Sequence, residues 1–277
     1  MNIAAYYFPN YHQDRRNLSF HGEDWDEWKL VREAKPRFPG HQQPRIPLWG
    51  YEDEANPKVM EKKIAAAADH GIDAFIFDWY YYDDGPFLER CLDEGFMNAD
   101  NNERIKFALM WANHDWLDIH PADGEGEPAL LYPGKVRPET FEHICDSVIE
   151  RYFQHPSYWK INGCPYFSIY ELFRFIEGFG GDLRETAEAI SHFRSKVRDA
   201  GFPDLHLNAV IWGVQLLPGE KSVKKPEEMI SLLGFDSVTS YVWVHHAQLP
   251  NFPISSYRSA MLDNLALWND AERRFPV

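Results

Sequence analysis

Apolar positions along the chain form short continuous runs that alternate with longer stretches of helical spacing. The clearest run is residues 72–79, which follow an alanine-rich stretch and lead into three tyrosines and the turn residues Asp83, Asp84 and Gly85. A nearly continuous apolar run of this length is typical of a strand that is buried on both faces of a parallel sheet. Further runs predict strands at residues 2–8, 105–111, 158–170 (interrupted by a turn at 162–165), 205–212 and 235–244.

Amphipathic stretches between these runs predict the helices that connect the strands. The spacing of apolar residues and the positions of proline and glycine indicate helices over residues 57–70, 86–94, 135–153, 182–200, 226–233 and 255–274. Six strand–helix units in succession imply parallel strands that are joined by right-handed crossovers.

The turn after the first strand distinguishes between two α/β folds. A doubly wound sheet usually has a glycine-rich phosphate-binding turn at this place, whereas this chain has Tyr6-Tyr7-Phe8-Pro9. We therefore expect an α/β fold of the (β/α)8 TIM type that is represented by its first six βα units, with an open sheet as the alternative. It would form a single domain over residues 1–277 that lacks strands seven and eight and their loops.

Residues 13–55 lack a clear hydrophobic period and are rich in proline and tryptophan. A loop of this length inside a compact domain is more often functional than idle. We expect residues 37–44, RFPGHQQP, to form a rigid, extended wall of a site. A solvated insertion is the alternative.

Composition and charge narrow the class of protein. The formal net charge is −15 and the isoelectric point is near 5.2, which argues against nucleic acid and anionic membrane surfaces as partners. Cys91, Cys145 and Cys164 lie far apart without CxxC spacing, as in a reducing compartment and without structural zinc. We see neither a signal peptide nor an apolar run that could span a bilayer, so we expect a soluble cytoplasmic protein without membrane insertion.

Aromatic and polar residues follow one predicted strand after another. Because ligand sites in parallel sheets form at the carboxyl ends of the strands, these residues predict one bowl-shaped site. Tryptophan and tyrosine present a flat apolar face and a polar group, which suits ligands that are partly hydroxylated. The stretches concerned are Tyr6-Tyr7-Phe8, residues 78–82, residues 111–116, Tyr170-Glu171, Trp212 and residues 241–246.

Three acids at predicted strand ends could carry chemistry, namely Asp78, Asp115 and Glu171. Glycoside hydrolysis typically needs two carboxyl groups that flank one bond. Asp78 shares a strand face with Ala74 and Ile76, so it should point into the floor of the bowl. It would either take part in bond cleavage or orient the neighbouring rings. The candidate catalytic residues are thus Asp78 and Glu171, although neither is certain from the sequence.

Other kinds of chemistry have weaker signals. The histidines are spread over several loops without HxH or HExxH spacing, and His245 and His246 would point to opposite faces of a strand. The chain has neither a GxSxG elbow nor a P-loop, which argues against serine catalysis and nucleotide hydrolysis. We therefore expect neither a metal nor a cofactor.

Five stretches occur together in one order: AAYYFPNYH, PRFPGHQQPRIPLWGYEDEANP, GIDAFIFDWYYYDDGPFLE, FALMWANHDW and INGCPYFSIYE. In these stretches the chain resembles the WbsX-type family, which is similar to the glycoside hydrolase family-99 endo-α-mannosidases. The resemblance extends from the first strand to about Trp268. It implies a (β/α)8 barrel that acts on a polysaccharide or oligosaccharide, as an endo-glycosidase or as a glycosyltransferase.

In the endo-mannosidase relatives, two catalytic glutamates lie in a segment like NEWxEG after the eighth strand, and this chain has no such segment. The resemblance therefore implies sugar contacts rather than proton transfer for the strand-end residues. Those residues are Tyr6, Tyr7, Asp78, Trp79, Asn113, His114, Trp116, Glu171 and Tyr241, and Trp212 is a further candidate for stacking on a sugar.

From these observations we expect a carbohydrate-active protein, with a glycoside hydrolase of the endo-α-mannosidase type as the first hypothesis. The alternatives are a glycosyltransferase and a non-catalytic sugar-binding protein of surface-polysaccharide biosynthesis. A further alternative is an enzyme that uses Asp78 together with Glu171.

Overall fold

The computed structural model of the chain describes residues 2–119, 127–212, 221, 225–247, 249, 251 and 253–275. The strands in this part of the chain are β1 (Ala4–Tyr7), β2 (Ala74–Tyr82), β3 (Gly85–Phe87), β4 (Lys106–Trp111), β5 (Trp116–Leu117), β6 (Leu130–Tyr132), β7 (Lys160–Ile161), β8 (Cys164–Ile169), β9 (His206–Val210) and β10 (Ser237–Thr239). The helices are α1 (Arg15–His21), α2 (Glu27–Glu33), α3 (Pro57–Asp69), α4 (Pro138–Val148), α5 (Leu172–Gly178), α6 (Leu183–Asp199), α7 (Pro226–Leu233) and α8 (Tyr257–Arg274).

Six strands form a parallel sheet in the order β1-β2-β4-β8-β9-β10. Each strand pairs with the next parallel strand along the chain, as right-handed βα units require. The short strands β3 and β7 pair antiparallel with β2 and β8, and β5 with β6 forms a separate hairpin. This arrangement confirms the succession of parallel strands that the sequence predicts.

Side chains of β2 alternate between the two faces of the sheet. Phe77 packs against Phe96 with ring centroids 5.5 Å apart, and Trp79 packs against Tyr152 at 6.2 Å, so both lie on the outer face among the helical segments. Asp78, between them, lies on the inner face. This period of two places apolar rings outside and the strand-end acid inside.

The sheet curves so that its first and last parallel strands meet on the inner face. The hydroxyl groups of Tyr6 on β1 and Thr239 on β10 are 2.7 Å apart. Asn208 on β9 accepts hydrogen bonds from Ser168 at 2.8 Å and from Thr239 at 2.9 Å. A sheet of six strands with this curvature is a half-barrel, in agreement with the (β/α)8 type that the sequence predicts.

Amphipathic helices cover the outer face. Ile190, Phe193 and Val197 of α6 are buried, and the Phe193 ring lies 6.0 Å from Phe141 of α4 and 5.6 Å from Phe167 of β8. Burial of each such side chain stabilises the fold by about 1.5–3 kcal/mol. None of the helices in the described residues is both long and apolar enough to cross a membrane.

Two short helices occur in the segment for which the sequence shows no hydrophobic period. α1 begins after Asp14, whose carboxylate accepts the backbone N–H groups of Arg16 and Asn17, and α2 begins after Asp26, which accepts that of Lys29. Each helix has only seven residues, too few to display a period, so these caps determine where they start.

Two other predicted elements differ from the structure. The helix predicted over residues 86–94 is replaced by β3 and a π-helical turn, Cys91–Phe96, because Gly85 at φ 114° reverses the chain into a hairpin with β2. The strand predicted over residues 235–244 is limited to Ser237–Thr239, and Trp243–His245 forms a 3₁₀ turn instead.

Candidate functional site

A hollow of about 210 Å³ lies at the carboxyl ends of β2, β4 and β8, and we call it the rim hollow. Its lining is formed by Phe8, Asp78, Tyr80, Met110, Ala112, His114, Asp115, Trp116, Leu117, Ile119, Tyr170 and Tyr241. Concave, mostly apolar sites with a few polar groups are typical of small-molecule and sugar binding.

Asp78 is the most perturbed acid of the rim hollow. Its side chain is buried, and the Tyr241 hydroxyl donates a hydrogen bond of 2.5 Å to Oδ2. Oδ1 has no hydrogen-bond partner among the described residues. Burial raises the pKa of Asp78 from 3.8 to about 7, and the hydrogen bond from Tyr241 opposes this rise. Because Oδ2 accepts a hydrogen bond from the Tyr241 hydroxyl, Oδ1 is the oxygen that is left to carry and donate the proton when the carboxyl group is protonated.

Aromatic rings hold Tyr241 and surround Asp78. The Tyr241 ring makes edge contacts with Tyr6 at 4.9 Å and with Tyr170 at 5.0 Å between centroids. On the other side, Tyr80 contacts Trp116 at 5.3 Å. Such contacts fix ring orientation, so the walls of the rim hollow are rigid apolar surfaces.

His114 supplies an acceptor to the rim hollow. Its Nδ1 donates to the backbone carbonyl of Asp115 at 2.9 Å, and burial lowers its pKa below the ordinary value. The imidazole is therefore neutral at pH 7, and Nε2 is its acceptor nitrogen.

Asp115 lines the rim hollow with a carboxylate that is already engaged. Its Oδ1 accepts the backbone N–H of Gly134 at 2.9 Å, and its Oδ2 accepts from Arg174 at 2.5 Å. Gly134 lies so close to the chain that a Cβ there would be 2.3 Å from the Asn113 carbonyl oxygen. Asp115 thus holds the loop around residue 134 against the strand end.

Asn113 and Glu171 form a connection between two strand ends. The Asn113 side chain donates to the Glu171 carbonyl and accepts from the Glu171 N–H, both at 2.8 Å. The Glu171 carboxylate caps α5 by accepting from Phe173 N–H at 3.0 Å, and it accepts from Lys221 N–H at 3.2 Å. Both oxygens of Glu171 therefore accept backbone amides, and Glu171 does not line the rim hollow.

Trp79, Tyr7 and Trp212, three of the predicted sugar contacts, lie outside the rim hollow. Trp79 is on the outer face of the sheet, where it stacks on Tyr81 at 5.4 Å, because odd-numbered positions of β2 point toward the helices. The same alternation turns Tyr7 outward, and its hydroxyl donates to Glu54 at 2.7 Å.

Trp212 lies behind the wall of the rim hollow. Its Nε1 donates to the Tyr170 carbonyl at 3.1 Å, and its ring stacks on His245 at 4.1 Å. Tyr6 also supports the wall, through its contact with Tyr241. The structure thus brings Asp78, His114, Trp116 and Tyr241 together at the hollow.

Phe8, Tyr80 and Tyr170 line the rim hollow and lie in the stretches predicted to form the site, but they are not among the individually predicted sugar contacts. Met110 also lines the hollow and lies outside those stretches. A usable signal was present for Tyr80, because it lies two residues after Asp78 and therefore on the same face. Met110 is paired with Asp78 across β2 and β4, a register that the sequence alone does not reveal.

Two other cavities lie nearby. One of about 660 Å³ lies along the inner face of β1, β9 and β10 beneath α8, where its lining includes Tyr6, Asn208 and Tyr241. Another of about 470 Å³ lies beside β1 and residues 47–54. Asp78, Asp115 and Glu171 line neither of them. No group of three or more metal-ligating side chains occurs within the described residues.

Comparison with solved structures shows the fold. A glycoside hydrolase family-99 endo-α-mannosidase from Bacteroides thetaiotaomicron, in complex with bis-tris-propane, is similar with a TM-score of 0.51 and 14% identity over 99% of this chain and 67% of that chain. Another structure of this type of enzyme from the same organism gives a TM-score of 0.49 with 15% identity, over 99% of this chain and 69% of that chain.

Comparison of sequences shows the family. An uncharacterized protein WxcX from Xanthomonas campestris pv. campestris (strain B100) is 28% identical over 206 residues, which are 74% of this chain. The chain spans about 28% of the length of that relative. The model of the family described as glycosyltransferase WbsX matches residues 3–262. The chain therefore belongs to the WbsX glycosyltransferase family, which is a carbohydrate-active family.

Proposed function

We propose that this protein binds an oligosaccharide or polysaccharide in the rim hollow and acts on its glycosidic linkages, as a glycoside hydrolase similar to the endo-α-mannosidases. Membership of a carbohydrate-active family supports the class of substrate. The fold that the chain shares with an endo-α-mannosidase structure supports hydrolysis of α-mannoside linkages as the first activity to test.

The observation that carries this proposal is the oxygen Oδ1 of Asp78, which is buried in an aromatic hollow without a partner among the described residues. An unpaired buried polar atom is unfavourable, and a ligand hydroxyl would satisfy it. The rings of Trp116 and Tyr241 offer apolar faces to the C–H side of a sugar, and Nε2 of His114 can accept from a second hydroxyl.

The raised pKa gives Asp78 a chemical role. With a pKa near 7, the carboxyl group is protonated in much of the population at neutral pH and loses its proton as the pH rises through 7. A protonated carboxyl in an apolar site is the usual proton donor to the leaving oxygen of a glycosidic bond. Tyr241 holds this carboxyl in place through Oδ2.

The test compares wild type with Asp78→Asn on α-linked mannose oligosaccharides, with products separated by chromatography. Asparagine keeps the shape and cannot transfer a proton, so we expect turnover to fall by about 100-fold or more. The control is Asp118→Asn, because Asp118 is exposed and does not line the rim hollow. Equal turnover in Asp78→Asn and wild type would refute the role of Asp78 as proton donor.

A second candidate function is sugar binding without turnover. It is favoured by the carboxylates of Asp115 and Glu171, whose oxygens all accept hydrogen bonds, so that neither of these two acids completes the usual pair with Asp78 in the part of the chain that the structure describes. It predicts a tryptophan fluorescence change on addition of mannose oligosaccharides and no product. Products longer than the starting oligosaccharide would instead indicate transfer between sugars, and shorter products would indicate hydrolysis.

A further inference from the structure

Residues 34–51, which we call the basic apolar loop, expose large apolar side chains. Leu48 is 96% exposed and Ile46 is 78% exposed, and Trp49 and Tyr51 are also exposed at 42% and 38%. Four such residues within six positions form a contiguous apolar patch, which in soluble proteins usually marks an interaction surface.

The charge of this loop is opposite to that of the whole protein. The basic apolar loop contains no aspartate or glutamate, whereas the formal net charge of the chain is −15. Lys35, Arg37 and Arg45 are exposed, and none of them forms an ion pair with any of the described residues. These three cations are therefore available to an anionic partner.

Two further cations lie on the aromatic rings of the patch. The Arg32 guanidinium is 5.1 Å from the centroid of the Tyr51 ring, and the Lys62 ammonium is 4.5 Å from that of Trp49. Both cations are also ion-paired, Arg32 with Asp26 and Lys62 with Glu52, each at 2.8 Å, so they hold the rings in place and add no free charge to the patch.

The loop is held in one shape by hydrogen bonds. Backbone bonds of 3.1 Å from His41 to Phe38 and of 3.0 Å from Gly50 to Pro47 close two turns. The Trp28 indole donates to the Glu52 carbonyl at 2.9 Å, which fixes the end of the loop to α2. These bonds restrict two turns and one end of the loop, so part of its conformational freedom is already lost before a partner binds.

We propose that the basic apolar loop docks the protein onto an anionic membrane surface. Ile46, Leu48 and Trp49 enter the interface, while Lys35, Arg37 and Arg45 contact the phosphates of the headgroups. This contact is peripheral and needs no membrane-spanning helix. The formal net charge of −15 argues against an anionic membrane for the protein as a whole, and Glu33 and Glu52 directly flank the loop. The attraction is therefore local to Lys35, Arg37 and Arg45, and repulsion of the remaining surface orients these cations toward the lipid.

Docking at this loop would bring the rim hollow close to the membrane. Pro47, Leu48 and Trp49 line the cleft of about 470 Å³ beside β1, and Phe8 lines both this cleft and the rim hollow. The proposal does not depend on the function proposed for the hollow, since it concerns a different set of residues.

The test is flotation of the full chain with vesicles of phosphatidylcholine, with and without phosphatidylglycerol. We expect the protein to float with the anionic vesicles and to remain in solution with the neutral ones. Salt shortens the screening length from about 10 Å at 0.1 M to about 3 Å at 1 M, so binding should weaken at high salt. Absence of binding to anionic vesicles at low salt would overturn the proposal.

Matched variants locate the contact. Leu48→Asp and Arg45→Glu should each lower the partition onto anionic vesicles by about tenfold or more. Leu232→Asp is the control, because Leu232 is exposed on α7, remote in sequence from the loop, and its variant should bind like wild type. Equal losses in Leu48→Asp and Leu232→Asp would contradict the assignment of this loop. The assignment would also be contradicted if the chain did not bind vesicles but self-associated, and if Leu48→Asp abolished that self-association.

Discussion

The outer face of the central sheet packs apolar rings against helices, whereas the inner face carries polar groups and opens into the rim hollow. On the outer side Phe77, Phe107 and Trp79 are buried among other rings. On the inner side Asn208 and Thr239 connect strands by hydrogen bonds, and Oδ1 of Asp78 has no partner within the described ranges of the chain. The outer face therefore stabilises the fold by apolar packing, whereas the inner face relies on hydrogen bonds and also holds one unfavourable group, the buried Asp78.

The largest expected effect is a loss of stability on the outer face. Phe193 is fully buried between Phe141, Phe153 and Phe167, so Phe193→Ala should lower the free energy of unfolding by about 3–5 kcal/mol. Denaturant unfolding followed by circular dichroism measures it. Phe20→Ala is the control, since Phe20 is half exposed, and a loss as large there would break the comparison between buried and surface rings.

On the inner face, Asp78→Asn should increase stability in a way that depends on pH. The folded protein holds the Asp78 proton up to about pH 7, whereas the unfolded chain releases it near 3.8. The free energy of unfolding of the wild type therefore falls as the pH rises from about 4 to 7, whereas that of Asp78→Asn has no such fall. At pH 8 the variant should be more stable by up to about 4 kcal/mol, and at pH 4 the gain should vanish.

Measurement of unfolding at several pH values checks this prediction. Asp118→Asn provides the reference, because it changes the same chemical group on the surface and should give no comparable gain. If Asp78→Asn were destabilising at pH 8, burial would not be the dominant influence on Asp78, and the contrast between the two faces would fail.

A smaller effect is expected where the inner face is fully hydrogen-bonded. Asn208 accepts from Ser168 and Thr239 and donates to Ser237 at 2.9 Å. Asn208→Ala should leave buried hydroxyl groups unpaired and lower the free energy of unfolding by about 1–3 kcal/mol. Stabilisation by this substitution, measured in the same denaturant assay, would show that the inner polar groups do not support the curvature of the sheet.

The six strands of the parallel sheet could be predicted from the sequence because each belongs to a short, mostly apolar run, whereas the short strands β3, β5 and β6 were not predicted. The helices α1 and α2 could not, since seven residues are too few for a period and Asp14 and Asp26 act as caps only once the chain has turned. The shortness of β10 could not be predicted either, because the apolar run continues through Trp243 in a 3₁₀ turn.

Only those parts of the candidate site that follow from the alternation of side chains along a strand could be predicted from the sequence. The alternation of side chains along β2 predicts that Asp78 lies on the inner face, as it does in the structure. The same alternation places Trp79 on the outer face. The capping role of Glu171 depends on amides of Phe173 and Lys221, and its pairing with Asn113 joins positions 58 residues apart. Such contacts are created by the fold and leave no local pattern.

The smallest expected effect is on sugar binding, and it distinguishes Trp116 in the rim hollow from Trp79 on the outer face of the sheet. Trp116 lines the rim hollow, whereas Trp79 lies on the outer face against Tyr152. Addition of mannose oligosaccharides should change the tryptophan fluorescence of wild type and of Trp79→Phe alike. Trp116→Phe should lose most of the response and about 1 kcal/mol of affinity, or roughly fivefold in Kd. A response lost in Trp79→Phe and kept in Trp116→Phe would put the sugar on the wrong side of the sheet and refute the rim hollow as the binding site.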